Sequence, residues 1–326
     1  MKEKILKILR QRDGFVSGQA LCEELGVSRT AVWKWINALK KEGYEIESVT
    51  RKGYRLLQSP DLLREEDVRR YLPADIWPGP VVCFSSIDST NEEAKRQATL
   101  GAADGTIFAA DMQTAGKGRR GREWSSPKGE DIFCSLLLRP ELPASAASTL
   151  TLVTALAVAA AVEKHSGMSC QIKWPNDVLL CEKKVCGILT EMELEMDEIS
   201  YVVIGVGLNV NREDFPEELS GMATSLFRET GEKTVRAALL ADVIKEFSLR
   251  YSRFLKEQSF ASFKEEYEER LVNIGREVRL IRRGQELVRR AVGIDEEGGL
   301  LVQNAEGETE CVVSGEVSVR GLYGYV

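Results

Sequence analysis

The seven residues Gly116-Lys-Gly-Arg-Arg-Gly-Arg122 hold three glycines and four cations. That composition rules out a helix interior or a core strand, because glycine weakens both and unpaired charge is costly to bury. The segment must be a loop, and the rest of the chain must build a scaffold beneath it. Glycines let a backbone approach a ligand closely, while Arg119, Arg120 and Arg122 carry planar donors matched to phosphate oxygens. A solvated basic surface loop is the plainer alternative. Three later segments favour a ligand: Lys173-Trp-Pro-Asn-Asp177, Lys183-Lys-Val-Cys-Gly-Ile-Leu189 and Gly205-Val-Gly-Leu-Asn209. Together with the loop they read as one nucleotide site.

Between residues 81 and 272 the pattern predicts strands at 81–84, 105–111, 132–138, 172–175, 178–180, 185–194 and 201–210. Helices are expected after Thr90, Ser145 and Thr234, and over 260–270. Strands that follow one another between long helices indicate an α+β fold with a mixed, mainly antiparallel sheet. Gly205-Val-Gly lacks the third glycine and the following helix of a dinucleotide-binding turn. From 273 to 326, short strands at 277–282, 286–294, 300–303, 309–313 and 316–320 suggest a small SH3-like β-barrel. Mixed charges and Pro73, Pro78 and Pro80 mark 61–80 as a linker.

Residues 1–60 carry 12 Lys/Arg against 7 Asp/Glu, although the whole chain is at −7, so only this head suits a polyanion. Its pattern is that of a winged helix-turn-helix. A helix over 2–11 is followed by a second, capped by Ser17 and ended by Gly26, and by a third, capped by Ser28 and running from 29 to 41. Ser28, Arg29, Thr30, Trp33, Lys34 and Asn37 are the candidate DNA-binding residues of the third helix. Arg51 and Lys52 sit at the tip of a hairpin, placed to meet backbone phosphate.

Other classes are disfavoured. Residues 150–162 are apolar but stop at Glu163 and Lys164, which reads as a core helix shorter than a membrane span. The N-terminus alternates charged and apolar residues and lacks a signal-peptide core, so a cytoplasmic protein is expected. Seven cysteines include no CxxC pair, and His165 is the sole histidine, which argues against a zinc site and a disulfide framework. Cys186 reads as a small buried residue and His165 as a charge at a helix C-terminus.

In order and spacing, GKGRRGR, KWPND, KKVCGIL and GVGLN behind a helix-turn-helix resemble the biotin–protein ligases. The likeness is to the bacterial bifunctional ligases that also repress the biotin operon, and it covers nearly the whole chain. It implies a class II synthetase-like central domain that uses ATP with Mg²⁺ to make biotinyl-5′-AMP. It implies transfer of biotin to a lysine of the biotin carboxyl carrier protein, and repression at operator DNA by a liganded homodimer. Biotin contacts are implied at Ser89, Thr90, Asn91, Gln113, Gly116, Lys117, Gly118, Arg119, Lys184 and Gly187. Adenylate contacts are implied at Lys117, Arg119, Arg120, Arg122, Trp124, Lys173, Asn176, Asn209 and Arg320.

Lys184, Arg119 and Asp177 are the expected catalytic residues. An ammonium between carboxylate and α-phosphate would stabilise charge during attack. Alternation along the strand faces Lys183 and Lys184 oppositely, and alignment on Lys-Val-Cys-Gly selects Lys184. Asp177 is open between a role with Mg²⁺ and one with the acceptor lysine; no fixed metal site is expected. Thr90 and Glu93 have capping-box spacing, so Thr90 could simply start a helix. Lys117 stands where the family commonly has Arg, which keeps the charge and loses the bidentate fork. A ligand sensor without turnover and a lipoate ligase are the competing classes.

Overall fold

The computed structural model describes residues 1–196, 198–282, 285–313 and 318–321. The chain divides into two compact units, Met1–Asp61 and Leu62–Val326.

In the first unit, α1 (Lys2–Gln11) buries Ile5, Leu6, Ile8 and Leu9, the spacing of one helical face. Ser17 Oγ accepts from Ala20 N at the start of α2 (Gly18–Leu25), and Gly26 ends it at φ 65°. Ser28 Oγ accepts from Ala31 N to open α3 (Arg29–Lys41), whose Val32, Ile36 and Leu39 are buried. The strands β1 (Glu45–Val49) and β2 (Gly53–Gln58) form an antiparallel hairpin. Gly53 is required there: at φ 110° a Cβ would lie 2.0 Å from Val16 O, where Val16 and Tyr54 exchange backbone hydrogen bonds.

The second unit opens with α4 (Glu65–Tyr71), which corrects the expectation of a linker over 61–80. Leu63, Val68, Leu72 and Trp77 all enter the main core, and Trp77 Nε1 donates to Gly105 O. Glu65, Glu66 and Arg70 are exposed on this short helix, whereas Asp67 is buried and Arg69 donates to Trp77 O. Next come β3 (Val81–Phe84), α5 (Thr90–Thr99), β4 (Thr106–Ala110), β5 (Ile132–Leu138), α6 (Thr149–Ser166), β6 (Cys170–Lys173) and β7 (Asp177–Leu180). The long strands β8 (Lys183–Glu195) and β9 (Glu198–Leu208) are followed by α7 (Leu226–Thr230), α8 (Arg236–Glu257) and α9 (Lys264–Arg270). A short 3-10 turn at Ala261–Phe263 precedes α9, where one helix over 260–270 was expected.

The strands form a seven-stranded sheet in the order β3-β4-β5-β9-β8-β7-β6. The β3–β4 pair is parallel and the other five pairings are antiparallel, as the α+β pattern predicts. Residues alternate along β5: Leu136 and Leu138 join the core beneath α6 and α8, while Leu137 faces α5 with Ala94, Ala98 and Val203. The helical segment Ala144–Ser166 is longer than the apolar run suggested and meets the length and hydropathy of a membrane span, yet 78% of its apolar window is buried within the protein. Its apolar surface therefore serves the core, with α8 packed beside it. His165, at its end, reaches across to Asp242 of α8 at 3.0 Å.

The C-terminal strands β10 (Glu277–Arg282), β11 (Gln285–Ile294), β12 (Leu300–Gln303), β13 (Thr309–Val312) and β14 (Ser318–Gly321) make a five-stranded antiparallel sheet. Its order is β13-β12-β11-β10-β14.

Candidate active site

The junction between β3 and α5 builds one wall. Ser89 is the cap of α5 without a side-chain hydrogen bond, and Thr90 is its first helical residue, so the expected capping box does not form. Thr90 N and Oγ1 instead donate to Gln113 Oε1 at 2.8 and 3.1 Å. Ser135 Oγ of β5 lies 2.8 Å from Thr90 Oγ1 and 2.6 Å from Asn91 Oδ1. Asn91 Nδ2 donates to Glu191 Oε2 and Leu189 O. Ser89, Thr90 and Asn91 are thus a buried, oriented polar set lining a small cavity with Gln113, Gly187 and Gly205. Gly116 lies under Trp124 O, where a Cβ would be 2.5 Å away.

Trp124 lines both this cavity and a larger one, of about 490 Å³, a size suited to a nucleotide. Gly187 and Gly207 are cross-strand partners in β8 and β9, and a Cβ on either would come within 2.7 Å of the Trp124 ring. The glycines therefore form a flat seat for the indole. Its Nε1 is buried with no hydrogen-bond partner among the described residues.

Lys184 lines both cavities, with Nζ 2.7 Å from Asp177 Oδ1 and 5.1 Å from the Trp124 ring centroid. Its backbone is fixed on both sides, donating to Met222 O and accepting from Thr224 N. The register of β7 on β8 shifts at Val178/Leu179, which sets Lys184 opposite Leu179. Lys183 lines neither cavity. Asp177 Oδ1 lies 2.7 Å from Lys184 Nζ and accepts from Asn176 Nδ2 at 3.0 Å.

The basic loop lies along the larger cavity. Arg119 Nη1 donates to Asn176 Oδ1 at 2.8 Å, and burial lowers its pKa against the opposing field of Asp177. Arg120 adopts φ 58°, and with Arg122, Gly118, Lys173 and Asn209 it borders the same space. Lys117 is turned toward Glu92 at 2.9 Å; Lys95 and then Lys117 hold that carboxyl below its ordinary range. Asn209 is buried and donates Nδ2 to Thr224 O, so its amide braces the cavity wall as well as bordering it. Arg320 stands opposite Arg279 in the β14–β10 pairing, and its side chain lies outside the described residues.

Sequence reasoning missed Arg212, Phe215, Leu219, Met222, Ala223 and Arg279, all of which line the larger cavity. Most belong to an irregular stretch between β9 and α7 without periodicity; a single Phe among charged residues was the available signal. It also missed Asp131, fully buried, whose Oδ1 accepts from Val210 N while Oδ2 has no hydrogen-bond partner among the described residues. Burial pushes Asp131 up to about 7, despite Val210, Arg212 and Arg236, with Glu130 pushing the same way as burial. The folded chain therefore keeps a proton that an unfolded aspartate releases near pH ~4. The resulting stabilisation is complete below that pH and is lost as pH rises to about 7. Thermal unfolding followed from pH 5 to 8 should show wild type losing stability relative to Asp131→Asn; parallel curves would count against this assignment.

In the head, Ser28, Arg29, Thr30, Trp33, Lys34, Arg51 and Lys52 are exposed and Asn37 is half-buried. Trp33 is 61% exposed on α3, and Arg29 is steadied by two hydrogen bonds to Gln19 Oε1. Arg51 takes φ 69° at the hairpin tip.

Residues 2–55 match the HTH domain, 83–209 the Biotin/lipoate A/B protein ligase family, and 274–320 the Biotin protein ligase C terminal domain. The chain is 40% identical over 310 residues to the bifunctional ligase/repressor BirA of Bacillus subtilis (strain 168), covering 94% of this chain and 95% of that protein. It belongs to the family of bifunctional biotin ligase/repressors. The family member from Escherichia coli (strain K12), also named bifunctional ligase/repressor BirA, is 32% identical over 97% of this chain and 96% of its own length. Among solved structures, the biotin protein ligase from Aquifex aeolicus in complex with biotin and ATP is 36% identical with a TM-score of 0.64, and covers 74% of this chain and 99% of its own. Family membership accounts for the joint presence of a helix-turn-helix head and a two-chambered site.

Proposed function

We propose that this chain adenylates biotin with ATP, transfers biotin to a lysine of the biotin carboxyl carrier protein, and represses transcription as a biotinyl-5′-AMP-bound dimer in the cytoplasm. The observation that carries the ligase reading is Lys184 Nζ, which stands at the boundary shared by the two cavities. The chemistry of the smaller chamber suits biotin: the hydroxyl and amide groups of Ser89, Thr90 and Asn91 match a urea carbonyl and its N–H groups. ATP fits the larger, where Arg119, Arg120, Arg122 and Lys173 meet phosphate. The biotin carboxylate attacks the α-phosphorus, the α–β phosphate bond breaks and pyrophosphate leaves. The carrier lysine then attacks the anhydride carbonyl and AMP departs. Lys184 offsets the negative charge that builds on the α-phosphate oxygens in the first step. The basic loop limits access of water to the anhydride.

Mg²⁺ would enter with the nucleotide. No group of three acidic, cysteine or histidine side chains suited to a metal occurs among the described residues, and Asp177 is shared with Lys184. Triphosphate oxygens would thus supply most of its ligands, with Asp177 at most one more.

Incubation of the chain with ATP, Mg²⁺ and labelled biotin or lipoate tests the ligase reading: an acyl-adenylate should form from biotin alone. The repressor reading is tested by operator binding with and without a non-hydrolysable biotinyl-AMP analogue. Dimerisation raises the effective concentration of the second α3 at its half-site, so affinity should increase by about 5- to 150-fold. Equal affinities at a protein concentration below saturation of the dimer would remove the regulatory half of the proposal.

A further inference from the structure

Arg212 has no assigned part in either chemical step, yet its guanidinium is buried, with the residue only 6% exposed. A buried arginine carries a desolvation cost, so the contacts that hold it indicate where it acts. Nε donates to Asp214 O at 2.8 Å and Nη2 to Ser125 Oγ at 3.1 Å. Nη1 lies 3.9 Å from Asp131 Oδ2. The guanidinium carbon is 4.6 Å from the centre of the Phe215 ring, and Arg228 approaches the same ring at 5.6 Å. Arg212, Ser125 and Phe215 all line the larger cavity and none lines the smaller one.

We propose that Arg212 is a positioning residue for the nucleotide half of the site. It fastens Ser125, three residues past the basic loop, to the segment that carries Asp214, and it fixes the Phe215 ring as part of the cavity wall. Because Ser125 directly follows Trp124, this clamp also limits how far the loop can move away from the nucleotide chamber. The inference rests on the larger cavity being the ATP chamber. It assigns Arg212 to ATP affinity and leaves biotin affinity independent of it.

Full-length Arg212→Met keeps an unbranched stem and removes the charge-assisted bonds. The Michaelis constant for ATP should rise about 10- to 100-fold, in line with the loss of hydrogen bonds to a charged group. The dissociation constant for biotin alone, measured by calorimetry, should stay within about twofold. Arg212→Lys should rescue little, since an ammonium cannot span Asp214 and Ser125 from one planar group. Ser125→Ala guards against a folding defect, because it removes one acceptor and almost no volume; it should raise the ATP constant about 3- to 10-fold.

An unchanged ATP constant in both Arg212→Met and Ser125→Ala overturns the proposal, and so does an equal weakening of biotin and ATP. Lys173→Ala separates this failure from that of the underlying reading. If Lys173→Ala weakens ATP and the Arg212 and Ser125 variants do not, the cavity is the ATP chamber and Arg212 is not its positioning residue. If none of the three weakens ATP, the chamber itself is misassigned.

Discussion

Lys184→Ala should slow biotinyl-AMP formation about 100- to 1000-fold, the range found when one preorganised donor to a developing charge is lost. Lys184 Nζ is held by Asp177 at 2.7 Å and its backbone is pinned between Met222 and Thr224, so little reorganisation is needed as charge builds. Removing the lysine alone would take the facing cation away from Asp177, whose negative charge would then repel substrate anions. The double variant Lys184→Ala with Asp177→Asn separates that repulsion from the missing cation: it should recover substrate binding and little of the rate. Lys183→Ala should change the rate less than about twofold, because that side chain borders neither cavity. Rapid-quench measurement of adenylate in a single turnover distinguishes these cases. Equal losses at positions 183 and 184 would defeat the assignment.

The second large effect is expected from glycines. A Cβ at position 205 would lie 2.1 Å from Asn91 Oδ1, an atom already tied to Ser135 on a side chain that also bonds Glu191 and Leu189. Asn91 has no free direction in which to yield. Gly205→Ala should therefore weaken biotin about 5- to 150-fold, the range that corresponds to 1–3 kcal/mol of overpacking. Gly207→Ala meets the Trp124 ring at 2.5 Å and moves the indole that lines both cavities, so it should weaken both biotin and ATP. Calorimetry with each ligand reads the difference directly. If Gly205→Ala binds biotin normally, or if Gly207→Ala affects one ligand alone, the arrangement does not work as described.

Local signals were legible where their causes are local. Ser17, Ser28 and Gly26 bound their helices because the cap and the left-handed turn involve residues within three or four positions. Thr90 shows the opposite case. Its spacing to Glu93 is that of a capping box, but the acceptor it meets is Gln113, 23 residues away, brought there by the β3–β4 pairing. The Val68 and Leu72 spacing that makes α4 amphipathic was present in the sequence and was masked by surrounding charges. Gly187 and Gly207 were visible as motif residues, whereas their pairing beneath one indole depends on strand register. Arg212 and Phe215 lie in an irregular stretch, where no periodicity separates a cavity wall from an ordinary loop.

The long apolar run of α6 has a consequence for synthesis. Its lid, α8, ends roughly 90 residues later in the chain. At about 5–20 residues per second, a nascent chain carries α6 without that lid for roughly 5–20 seconds. During this interval a segment with the length and hydropathy of a membrane span is open to other apolar surfaces in the cell. The apolar face of α6 is therefore uncovered midway through translation, before the strands β8 and β9 and the helix α8 have emerged to cover it.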